Sequence, residues 1–387
     1  MRSDMRSRLS NDTRTRGIKS RDRLNVGFVP TVDCATLIAA KEQGLFDEQN
    51  LDVCLSREVG WATIREKLLH EELDAVAAPA SVLLSIHCGI GVVPRPCLTG
   101  LILSARGSAI TLSNELWELG ARDAATTGKI IKNRKGTRPF VFGVVLELST
   151  QHQLLRQWLL SAGVDPVMDV HIVIIPSALI YENFSKGFLD GYCVAEPWNS
   201  AAVMNRKGWI VTTSAEAALT QPEKVLLVLE EFATEKNDVH LRLLAALIKA
   251  SRFCDDPANR SALATMLAKP GYLDVPEDYL NNALVGPLNT GRGIKSLDTF
   301  ITYDAEKVGA PTPAAGQMVL DLVRSFGRTA KLPPLPSDVI EKTFRKDIYD
   351  QAIRFEQFEK ELTGTPLQHL PGSWPQDSQW AGAAACV

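Results

Sequence analysis

Apolar residues near the start of the chain switch repeatedly between two spacings. Residues 24–29 form a short apolar run of the length of a buried strand, and 35–43 carry an apolar helical stretch ended by Gly44. Asp33, in the Pro-Thr-Val-Asp turn between them, is a candidate N-cap. Residues 51–56 read as the next strand, and 61–71 place Trp61, Ile64, Leu68 and Leu69 on one helical face. Residues 73–76 are strand-like again.

The alternation resumes further on. Residues 98–112 are rich in β-formers and are expected to carry the chain out of its first unit, with a polar excursion over 120–138. A strand follows at 140–145, a helix at 150–162 with apolar Leu154, Leu155, Trp158 and Leu159, a strand at 170–175, a helix at 179–187 and a strand at 191–194. Residues 209–213 are a strand that can return to the first unit. Residues 238–255 make a long helical pattern, and 258–360 read as mainly helical with Pro and Gly breaks.

Strands separated by helices of about ten residues imply parallel pairing through right-handed crossovers, so the class is α/β. Two such units linked by two crossings would leave a cleft between lobes. The expected division is 24–112 with 214–360 for lobe 1 and 113–213 for lobe 2. Residues 1–23 are expected to be a mobile basic tail and 361–387 a disordered one.

Composition narrows the function. With 387 residues, 45% apolar content and 42 basic against 45 acidic residues, the chain can bury two cores, and a net charge of −3 supplies no field for nucleic acid or an anionic membrane. No run approaches the roughly 18 apolar residues of a membrane span. Seven cysteines without a Cys-x-x-Cys pair fit reduced thiols and no zinc site. Cys34 and Cys193 lie near strand ends, with nothing nearby to activate a thiol. No Gly-x-Ser-x-Gly, Gly-x-x-x-x-Gly-Lys-Ser/Thr or Cys–His arrangement points to an enzyme, and no cofactor is expected.

Two segments carry a family signal: 24–46, with its Thr31-Val-Asp-Cys-Ala35 core, and 190–199, with a Glu196-Pro197-Trp198 turn after a short strand. Asp255-Asp-Pro-Ala-Asn259 adds a third. With these the chain resembles the nitrate/bicarbonate solute-binding proteins of bacterial ABC transporters over roughly residues 24–360. The resemblance implies a two-lobed, type II periplasmic-binding-protein-like fold with a hinged interdomain cleft. The first 23 residues hold eight Arg or Lys and lack the apolar core of roughly 7–15 residues that an export signal needs. A cytoplasmic protein is therefore expected, similar to the NasS-like nitrate/nitrite sensors, whose implied partner is a NasT-like RNA-binding antiterminator. The alternative is the substrate-binding component of a nitrate or bicarbonate ABC transporter.

Nitrate needs donors and positive potential but no acceptor, whereas the hydroxyl of bicarbonate needs one. The resemblance implies that Trp61 donates an indole N–H, with a core Trp as the plain alternative. It makes Lys224 the candidate cation, against a solvated surface Lys, and favours nitrate or nitrite. Gln151 stands where the relatives carry a ligand-facing His, while His152 is turned by about 100° on the same helix. Ser108 takes the place of an amide side chain, with a merely solvated Ser as the alternative. Ala195 replaces a Gly and adds a methyl that narrows the pocket or excludes a positive φ. Glu196 is expected to serve structurally, accepting hydrogen bonds from backbone or from a cation such as Lys224, and Trp198 to pack the junction between domains.

Overall fold

The computed structural model describes residues 21–364 except 135, 137, 218–220, 296–299, 304 and 327–331. The tails expected at 1–23 and 361–387 lie outside the described residues except at their inner ends. There the first strand begins at Asp22 and the last helix runs Lys346–Gly364.

Two mixed sheets organise the chain. The first contains β1 (Asp22–Phe28), β2 (Leu51–Arg57), β3 (Ala75–Pro79) and β4 (Cys97–Arg106). The second contains β5 (Ser108–Ser113), β6 (Phe140–Val144), β7 (Val170–Ile174), β8 (Gly191–Ala195) and β9 (Gly208–Thr213). The chain then returns to the first sheet as β10 (Pro222–Leu229) and the short β13 (Ile301–Thr302), while β11 (Leu288–Asn289) and β12 (Ile294–Lys295) pair as a separate two-stranded ribbon. The first sheet has the order β13-β4-β10-β3-β1-β2 and the second β7-β6-β8-β5-β9.

The β-α-β alternation read from the sequence produces the parallel pairs β1–β2, β1–β3, β6–β7 and β6–β8. The crossing strands β4, β5, β9 and β10 pair antiparallel, because they run between sheets rather than through a crossover helix.

Residues 98–112 are two strands in two sheets. The break falls at Arg106 (φ +68°) and Gly107 (φ +80°), and a Cβ on Gly107 would lie 2.7 Å from Ile301 Cδ1. Only glycine fits there without strain. The passage between lobes therefore lies at residue 107, earlier than the expected 112.

Other expectations are corrected as well. β9, which could have returned to the first unit, stays on the edge of the second sheet within the expected 113–213, since β5 supplies its ladder. The 120–138 excursion contains a helix, Ala124–Asn133, started by a capping box between Asp123 and Thr126. Part of 214–360 also sits with the second sheet: Ile210 donates its N–H to Thr290, and Leu288 and Phe300 cluster with Ala109, Val203 and Ile210.

One face of the first sheet packs on the helices Ala35–Glu42, Asn237–Asp255 and Arg260–Leu267. The opposite face packs on Trp61–Leu69, Ala80–Cys88 and Pro313–Ser325. That cluster continues without a break into the second lobe through Val145, Leu148, Ile180, Tyr192, Val194 and Trp198. The two lobes thus meet in a shared apolar core as well as through two strand crossings.

Candidate functional site

Lys224 lies in the middle of the first sheet, in register with Pro79 on β3 and Ser104 on β4, and is 1% exposed. Its ammonium contacts Asp33 Oδ2 at 2.6 Å and Glu223 Oε1 at 2.9 Å, and sits 5.1 Å from the centroid of the Trp61 ring. Burial alone would pull its pKa down. The two carboxylates more than reverse that, so the pKa is raised and the lysine is held charged.

Asp33 is not the N-cap that its sequence position suggested. No side chain caps the one-turn helix Val32–Cys34 or the helix that follows. The Asp33 carboxylate instead receives the Thr31 hydroxyl and faces Lys224, because a buried ammonium competes for it more strongly than neutral backbone N–H groups do.

The second lobe contributes the start of the helix Thr150–Ser161, whose N-cap Ser149 accepts from the His152 N–H at 3.2 Å. Gln151 points into the lobe junction. Its Nε2 donates to Ser108 Oγ at 3.1 Å and also to Glu223 Oε1, while the Thr150 hydroxyl donates to Glu223 Oε2. His152 turns away, with Nδ1 2.7 Å from the Glu147 carbonyl oxygen and its ring 4.9 Å from Phe326. Burial lowers its pKa. The 100° turn between neighbours on a helix separates the two side chains as expected.

Glu196 and Trp198 hold the lobes together close by. The Val32 N–H donates to the Glu196 carbonyl oxygen at 2.8 Å, and the Trp198 indole donates to the Pro30 carbonyl oxygen at 3.1 Å. The Glu196 carboxylate takes the Ser200 N–H at 2.9 Å, its other oxygen has no partner, and burial pushes its pKa up to about 7. Its expected partner Lys224 goes to Asp33 and Glu223 instead. Ala195 ends β8 opposite Ser108 and is not among the positive-φ residues, so its methyl meets no backbone conflict. Cys34 and Cys193 are buried, and burial raises both thiol pKa values, which makes them poor nucleophiles.

Trp61, Ser108, Gln151 and Lys224 therefore converge, at the ends of strands where α/β folds hold ligands. Asp33, Thr150 and Glu223 join them, and sequence reasoning had given none of the three this role. The one available signal was a pair of carboxylates, Asp33 and Glu223, inside otherwise apolar segments.

Space here is small. A void of about 10 Å³ is lined by Arg106, Ser108, Thr150, Leu154, Ser214, Gln221 and Glu223, room for about one water. A larger hollow of about 230 Å³ opens between the lobes beside Trp61, bordered by Arg65, Leu146 and Leu148. The Trp61 indole nitrogen and Gln151 Oε1 are buried without partners. Among the described residues no cluster of His, Cys, Asp or Glu could hold a metal ion, and no helix is long and apolar enough to cross a membrane.

A family model described as "NMT1-like family" matches residues 19–268. The nitrate import ATP-binding protein NrtC of a Synechocystis strain is 31% identical over 86% of this chain and 50% of its own length. The bicarbonate-binding protein CmpA of Synechococcus elongatus is 26% identical over 90% of this chain and 80% of its own. The chain spans half or less of the length of the first curated relatives that it matches. The crystal structure of the periplasmic nitrate-binding protein NrtA from Synechocystis superposes with a TM-score of 0.79 at 23% identity, covering 90% of this chain and 91% of that one. The two-lobed binding-protein architecture is thereby shown.

Proposed function

The chain belongs to the NMT1-like family, and on that premise we propose that its interlobe compartment captures a small oxyanion of the nitrate or bicarbonate class, as the solute-binding part of an import system. The observation that carries this reading is the pairing of a fully buried ammonium, Lys224, with a buried indole N–H at Trp61 that has no partner. A planar anion beside them would gain a charge-assisted hydrogen bond and a flat surface. The space beside Glu223 is only about 10 Å³ in this structure, so entry of an anion there requires the lobes to part.

The matched relatives of comparable length are named as binding proteins, and this chain has no Gly-x-x-x-x-Gly-Lys-Ser/Thr segment for nucleotide phosphates. The shared half of the longer relatives is thus read as the anion-binding half. The NasS-like reading uses the same cleft with a different output, control of a NasT-like antiterminator from the cytoplasm. The import names of the relatives favour the first reading.

Calorimetry of the purified chain with nitrate, nitrite, bicarbonate and chloride tests the proposal. Saturable binding of at least one oxyanion, lost in Lys224→Glu, is expected. Heats indistinguishable from chloride for all three would remove it.

A further inference from the structure

Apart from the Trp61 indole, the donors that an incoming anion needs are already in use, and their user is a side chain of the protein. Glu223 follows Pro222 at the start of β10 and is 3% exposed. One carboxylate oxygen accepts from the Thr150 hydroxyl, and the other accepts from Gln151 Nε2 and lies 2.9 Å from the Lys224 ammonium. Three donors from two lobes surround one carboxylate, which is what a bound oxyanion would require of this compartment. The void beside it has room for about one water and none for a four-atom anion.

Charge leads to the same residue. Lys224 is matched by Asp33 and Glu223, both 3% exposed or less, and Glu196 is buried nearby at the lobe junction. Arg106, half-buried, is the other charged side chain lining the void and has its own partner. An anion added beside Glu223 places two like charges in a poorly screened space, which costs far more than in water. An anion with a hydroxyl avoids part of that cost by donating to the carboxylate.

We infer that Glu223 is the resident occupant of the anion position. It holds the lobes closed through Thr150 and Gln151 until a ligand takes those donors, and it selects against oxyanions that carry no proton. This rests on the oxyanion reading above and names the residue that sets its selectivity. Glu223→Gln keeps the shape and one acceptor for Thr150 while removing the competing charge. Its amide can also donate to Gln151 Oε1, which is buried without a partner.

The test is calorimetry at pH 8 and low salt on wild type, Glu223→Gln and Glu223→Ala, each first checked for a cooperative thermal transition. Nitrate affinity should rise at least about tenfold in Glu223→Gln, and bicarbonate affinity should rise less, so the nitrate-to-bicarbonate ratio increases. Glu223→Ala should shift the ratio in the same direction and serves as the reading if the Gln variant does not fold. A variant that binds nitrate no better than wild type, or gains equally for both anions, overturns the inference and leaves the oxyanion reading standing. Absence of binding in all three proteins overturns both.

Discussion

Trp198 donates its indole N–H to the carbonyl oxygen of Pro30 at 3.1 Å, tying the turn after β8 in one lobe to the loop after β1 in the other. The bond is buried, and its breakage would strand a carbonyl away from water. Trp198→Phe keeps most of the apolar contact and should destabilise the protein by about 1–3 kcal/mol. A urea midpoint unchanged from wild type would show that the lobes do not depend on it.

Lys224 neutralises two buried carboxylates, so Lys224→Met leaves Asp33 and Glu223 without a counter-charge. A loss of about 3–5 kcal/mol is expected at pH 7, read from chemical denaturation. A loss below about 1 kcal/mol would mean that solvent reaches the site.

Glu196 has its pKa raised by burial to about 7 from an ordinary 4.5. The folded state then binds more protons than the unfolded state between these values, so stability is fully present below about pH 4.5 and is lost as pH rises through 7. The effect amounts to about 3 kcal/mol. Comparing Glu196→Gln with wild type at pH 5 and pH 8 isolates it: the variant should gain relative to wild type at pH 8. Equal differences at both values would refute it.

His240 titrates in the opposite sense. Burial lowers its pKa to about 4 from 6.5, and neither ring nitrogen has a partner. Its contribution is present above pH 6.5 and is lost as pH falls through 4, again by about 3 kcal/mol. Between pH 6.5 and 4.5 the two slopes oppose each other, which flattens the wild-type profile. His240→Leu should remove the acid-side loss, measured as urea midpoints at pH 4.5 and 7, and a parallel shift at both would contradict this.

Gly107 turns the chain from the first sheet to the second at φ +80° beside Ile301. Gly107→Ala should cost about 1–3 kcal/mol and lower the thermal midpoint, and trimming Ile301 to Val should recover only part of it, because the contact with Cδ1 is relieved while the backbone angle is not. A neutral Gly107→Ala would refute the strain.

The strands and helices of the two α/β units were legible because burial on both faces leaves continuous apolar runs, and helices against them repeat at their own period. Trp61, Gln151 and Lys224 were named from family resemblance, and the structure turns Gln151 rather than His152 toward the junction. The 98–112 stretch was not resolved, since its β-forming pattern is the same on either side of the glycine that splits it.

What the sequence alone determined is local: which segments are apolar enough to be buried, where glycine permits a turn, and which helix face looks inward. Partner choice was decided only by the tertiary structure. Asp33 reads as a cap and Glu223 as an ordinary neighbour of a lysine until β10 inserts between β3 and β4 and the second lobe closes over it. Charges find their partners through space at distances of a few ångströms, and residues 33, 150 and 223 become neighbours only when both sheets are in place.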